Sequence, residues 1–96
     1  MNCVTCQADL GSYERRKAFI ALFVMGDEEI RSWWFCDACQ VYSVGEYVDR
    51  FMGDEYDRVP YLVAKDIGDA EVALVATCPR NSDKWCTCDA HRRLGP

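Results

Sequence analysis

The chain has a single histidine, and no run long and apolar enough to cross a bilayer. Its longest unbroken apolar stretch is AFIALFVM, residues 18–25, against about 20 residues for a membrane span. The N-terminus, MNCVTCQADLGSYERRK, shows no basic segment followed by an apolar one. A secretory signal is therefore not expected, and a cytoplasmic location is. Basic clusters are limited to Arg15-Arg16-Lys17 and Arg92-Arg93, in a chain of formal net charge −5. Phosphate backbones are normally met by a basic patch, so nucleic-acid binding is disfavoured and both clusters read as solvated faces. The acidic runs Asp27-Glu28-Glu29 and Asp54 through Asp57 read the same way. No serine lies in a nucleophile elbow and no glycine-rich phosphate loop is present. The residues thus point away from an enzyme. Internal repeats and low-complexity segments are also lacking.

Cysteine is what the chain has in excess, seven in 96 residues. A domain this small buries a limited core, so a covalent or metal staple is expected. In a reducing compartment paired cysteines signal metal or redox chemistry more often than disulfides, and the odd count also argues against a closed disulfide framework. Cys3-V-T-Cys6 and Cys36-D-A-Cys39 are two C-x2-C pairs, 29 residues apart, which together make a tetrahedral set of four thiolates. Cys78, Cys86, Cys88 and His91 remain, spaced C-x7-C-x-C-x2-H, and form a second set of four. Every cysteine and the histidine are then used. Closed sites of this kind are structural, because a catalytic zinc keeps one position open. Sequential pairing is the shorter chain path. Interleaved pairing, with the first pair sharing an ion with the tail, is the alternative. PRNSDK, between Cys78 and Cys86, has almost nothing to bury and should be disordered without an ion.

Scaffold signals surround the first set. ERRKAFIALFVM and IRSWWFC are strand-like runs separated by GDEE, a turn signal, and predict a hairpin whose second strand runs into Cys36. Trp33 and Phe35 would face one side of it and Trp34 the other. One face must cover the core; the second is either buried by the rest of the chain or left as a docking patch. Ser43 and Glu46 have capping-box spacing, and Val44, Tyr47, Val48 and Phe51 recur at helical intervals before Gly53, which predicts a short amphipathic helix. DEYDRVP reads as a linker. Asp66 can cap a helix through residues 67–77, although Val72, Leu74 and Val75 would also suit a strand.

The pattern Cys3-x2-Cys6, hairpin, Cys36-x2-Cys39 resembles the zinc-ribbon group, whose rubredoxin-like knuckles hold a metal between two C-x2-C turns. The resemblance covers residues 1–52. It implies a metal centre but no particular activity, since ribbons serve many roles. Ribbon knuckles usually carry glycine after the second cysteine, where this chain has Gln7 and Gln40. The 29-residue gap also resembles that of rubredoxin, which holds iron, although the proline- and glycine-rich middle of that family is missing. CTCDAH is similar in ligand set to a small iron-sulfur family with three cysteines and one histidine, at a different spacing.

Together these readings predict a small α+β metal-stabilised domain: a zinc-ribbon-like β-hairpin module over residues 1–52, then a helical segment over 53–96 with a C-terminal metal-bound loop. Two Zn2+ ions are expected, with iron or an iron-sulfur centre as the alternative. The expected role is a protein-interaction or accessory subunit, with electron transfer as its competitor. A protein partner is expected; a membrane is not. Seven thiolates on two divalent ions would leave the holo chain more acidic still.

Overall fold

The computed structural model describes residues 1–50 and 53–95. The expected hairpin forms from β1 (Ala18–Val24) and β2 (Asp27–Cys36), paired antiparallel from Ala18↔Trp33 to Val24↔Asp27. Its turn is tighter than GDEE suggested. Met25 and Gly26 both take positive φ, 50° and 90°, the two-residue geometry that matches strand twist, so Asp27–Glu29 belong to β2.

Residues 43–49, which the sequence reads as the cap and first turns of a helix, instead belong to a strand, β3 (Val41–Asp49), pairing antiparallel with β2 along its whole length. Tyr42, Val44 and Val48 lie on one face at period two, all three buried. Glu46 interrupts that apolar alternation but sits on the same face, neutralised by Arg31 at 2.9 Å. Ser43 does not cap a helix either: its Oγ accepts the Val4 N–H at 3.0 Å. The last residue of the expected helix, Phe51, lies outside the described residues.

DEYDRVP is not a linker. It contains β4 (Glu55–Asp57), paired with the end of β3, and Arg58, whose N–H donates to the Glu46 carbonyl at 2.8 Å. Next comes β5 (Tyr61–Ala64), paired with the start of β3. The result is one five-stranded antiparallel sheet in the order β1-β2-β3-β4, with β5 also beside β3. Strands from both sides of the 52/53 boundary share it.

Two helices follow, α1 (Lys65–Ala76) and α2 (Asp89–Leu94). The helix expected over 67–77 is present but begins earlier, with Ala64 at the cap position and no side-chain cap. Asp66 lies inside the first turn, where an acid suits the positive end of the helix dipole. Asp69 is held below the ordinary carboxyl range, first by the Lys65 ammonium at 2.7 Å and then by the Tyr42 hydroxyl, which donates to it at 2.6 Å. Gly68 lets α1 approach the sheet closely: a Cβ there would lie 2.1 Å from Tyr42 Cδ2.

The core lies between one sheet face and the helices. Ile20, Leu22, Trp33, Tyr42 and Val44 meet Val75 of α1 and Ala90 of α2. The opposite orientation of Trp34 is as expected, and the N-terminal segment contributes its cover. Tyr13, in a short 3-10 turn (Tyr13–Arg15), lies 6.0 Å from the Trp34 ring, and the indole N–H donates to the Ser12 carbonyl at 3.0 Å. Trp34 is therefore buried, satisfied and not a docking patch.

Candidate metal centres

The first cluster forms where two turns meet. The N-terminal turn is closed by Cys3 N–H to Ala8 carbonyl at 2.8 Å and Gln7 N–H to Cys3 carbonyl at 2.9 Å. The β2–β3 turn repeats the second bond, with Gln40 N–H donating to the Cys36 carbonyl at 2.8 Å. After the second cysteine each chain bends into the left-handed region, at φ 64° for Gln7 and 56° for Gln40. These are the positions where knuckles usually carry glycine, and the bend is made without it. Val4 N–H on Ser43 Oγ fixes the first turn against β3.

The turns place Cys3, Cys6, Cys36 and Cys39 so that one ligand atom from each lies within 4.8 Å of all the others. Cys6 and Cys36 sulfurs are 3.8 Å apart. Amide N–H groups of Cys6 and Thr5 donate to the Cys3 sulfur and pull that thiol down to about 6, whereas Cys39, facing the Cys6 thiol and partly desolvated, is pushed up to about 12. Four converging thiols share protons unevenly because they repel as thiolates, and a cation placed among them removes the conflict.

The second cluster follows α1. Cys78 N–H donates to the Val75 carbonyl at 2.9 Å just beyond the helix end, Cys86 N–H to the Asp83 carbonyl at 3.1 Å, and Cys88 is the residue before α2. A single turn of α2 then brings His91 back over Cys88. Ligand atoms of Cys78, Cys86, Cys88 and His91 again lie within 4.8 Å of one another. His91 Nδ1 is 3.4 Å from the Cys78 sulfur and 3.2 Å from the Cys88 sulfur; Cys78 and Cys86 sulfurs are 3.9 Å apart. Burial opposes ionisation of Cys88, yet the His91 amide and ring and the neighbouring thiols outweigh it and bring the thiol down to about 6. Desolvation raises Cys78 to about 11.

These separations test the fit. In a tetrahedron with metal–sulfur bonds of about 2.3 Å, sulfurs sit about 3.8 Å apart, and a sulfur and an imidazole nitrogen about 3.5 Å apart. A disulfide requires about 2.05 Å. All seven cysteines are free, and the observed spacings match the edges of a coordination tetrahedron. The eight side chains singled out in the sequence thus assemble into two sequential groups, not interleaved ones.

Asn81 and Ala21 were not singled out, and they tie the tail cluster to the sheet. Ala21 N–H donates to the Asn81 carbonyl at 2.7 Å, Asn81 Nδ2 donates to the Phe19 carbonyl at 3.2 Å, and His91 Nε2 lies 2.9 Å from the Ala21 carbonyl oxygen. Asn81 thus pins PRNSDK to β1, although the segment is as polar and largely exposed as the sequence suggests. The repeat C-x2-C-Gln, at 3–7 and 36–40, was the signal that could have revealed the matched pair of turns.

No family model, curated protein or solved structure matches the chain. Fold and site therefore define its class: a small α+β domain, an antiparallel sheet with short helices, carrying two cysteine-rich clusters that could each hold a metal ion. Among the described residues no helix is long and apolar enough to cross a membrane.

Proposed function

We propose that this chain is a two-zinc protein that serves as an accessory or protein-interaction subunit, with a zinc-ribbon-like arrangement over residues 1–52. The observation that carries the reading is closure: each cluster brings four protein ligand atoms within 4.8 Å of one another, with Cys6–Cys36 and Cys78–Cys86 separations that suit edges of a tetrahedron. Zinc suits sulfur and mixed sulfur–imidazole sets of this kind, and a site with no position left for water or substrate contributes to folding, not to catalysis. We accordingly read the chain as non-enzymatic and cytoplasmic, where thiols stay reduced and available to metal. A protein partner is favoured by exposed apolar groups at one corner, where Met25 stands free and Phe23 stacks on Trp85 at 4.6 Å between centroids. Net charge −5 disfavours nucleic acid.

A second reading has its own support. Two matched turns, the first with Thr5 and Cys6 N–H groups aimed at the Cys3 sulfur, also suit one iron in four thiolates, the arrangement of an electron carrier. Elemental analysis of natively loaded protein, with a visible spectrum on the same sample, separates the two. Two zinc ions per chain and no colour are expected. Iron with thiolate charge-transfer bands overturns zinc in favour of electron transfer, and a metal-free, fully folded chain overturns both.

A further inference from the structure

β1 is an outer strand: β2 covers one of its edges, and among the described residues no strand covers the other. Natural edges are guarded by charge, proline or a covering segment. AFIALFV has neither charge nor proline. Its guard is the tail, through the three contacts of Asn81 and His91 with Phe19 and Ala21. Between Cys78 and α2 that tail has limited apolar anchorage: Pro79, Arg80, Ser82 and Thr87 are exposed, and Trp85, itself exposed, rests on Phe23 of β1. The four-ligand cluster draws the two ends of this stretch together. With Nδ1 turned to the sulfurs, the ring proton belongs on Nε2, where it is donated to the Ala21 carbonyl. One imidazole thus joins the cluster to the strand edge.

We propose that the tail cluster is a metal-dependent clasp on the free edge of β1, and that a chain emptied at this site pairs through that edge with β1 of a second copy. The proposal rests on the metal reading above. A second copy is the occupant because antiparallel β1–β1 pairing about a two-fold axis sets an uncharged strand against itself, with no like charges opposed. Phe19 and Ala21 offer it the same backbone donor and acceptors that the tail releases. A short strand of high β-propensity without charge or proline is also the kind that self-pairs once uncovered.

The test compares full-length wild type with His91→Ala by metal content, site-resolved amide exchange and sedimentation equilibrium. Expected for His91→Ala are one ion per chain in place of two, Ala21 exchange at least tenfold faster at concentrations where sedimentation shows monomer, and a concentration-dependent dimer that disappears when Phe23→Lys is added. One ion lost with Ala21 still protected, or with no dimer at any concentration, overturns the clasp and leaves the metal reading standing. Two ions retained overturn the metal reading itself. If His91→Ala forms no sheet at all, Asn81→Ala decides, since it removes only the donor to Phe19 and touches no ligand. Both ions should remain, with Ala21 exchange about fivefold faster, the equivalent of one lost hydrogen bond. An unchanged rate overturns the clasp.

Discussion

Replacing Gln7 with glycine should stabilise the protein and, on the two-zinc reading, tighten metal at the first cluster. A non-glycine residue in the left-handed region costs about 1–2 kcal/mol, and Gln7 stands there at φ 64°. Glycine removes that cost but adds about 0.5–1 kcal/mol of chain entropy lost on folding. The net gain is about 0.5–1 kcal/mol, because among the described residues no side-chain hydrogen bond of Gln7 offsets it. Gln40, at φ 56°, has the same backbone but a different side chain: its Nε2 donates to the Asp37 carbonyl at 2.7 Å. Losing that exposed bond subtracts about 0.5–1 kcal/mol, so Gln40→Gly should come out near neutral. Cluster formation is linked to folding, so Gln7→Gly should also bind its ion about two- to fivefold more tightly. Urea unfolding at fixed excess metal and competition with a chromophoric chelator measure the two effects. Gln7→Val, a β-branched residue at positive φ, should move both in the opposite direction. The reasoning fails if Gln7→Gly is no more stable than wild type, or if Gln40→Gly gains as much as Gln7→Gly.

Two further outcomes follow from packing. Gly68→Ala should destabilise the fold by about 1–3 kcal/mol, although alanine is the better helix former by about 1 kcal/mol, because the new methyl lands on the Tyr42 ring; denaturant midpoints check this, and a gain in stability refutes it. Arg58→Ala should cost about 2–4 kcal/mol, since Glu29, with only 3% of its surface exposed, has Arg58 Nη1 at 2.6 Å from its Oε1. Adding Glu29→Gln to that variant should recover part of the loss, and no recovery means the buried charge is not the cause.

The candidate ligands were legible because cysteine, scarce in ordinary sequences, is chemically specific and here arranged in short spacings, so four-ligand sets can be assembled without a fold. The hairpin was legible too, since Ala18–Val24 and Ile30–Cys36 are β-branched and aromatic around a turn. β3 was not. Val44, Tyr47 and Val48 satisfy a helical interval as well as a strand one, and Glu46 hides the alternation of Tyr42, Val44 and Val48. Only the pairing of that strand with β2, and the neutralisation of Glu46 by Arg31 and Arg58, decides the matter. DEYDRVP looked like a linker for a similar reason: its polar residues are the ones that pair with β3, with the buried Glu29 and with the half-buried Glu46.

From the sequence alone came the number of ligands, their division into two sets of four and the conclusion that a metal, not a disulfide, is the natural staple. These are matters of composition and local spacing. The tertiary structure decided that the sets are sequential, that Gln7 and Gln40 make the turns glycine would normally make, and that His91 and Asn81 lie on the edge of β1. Such facts depend on contacts between residues up to 70 positions apart, and backbone hydrogen bonds at a strand edge leave no mark on residue type.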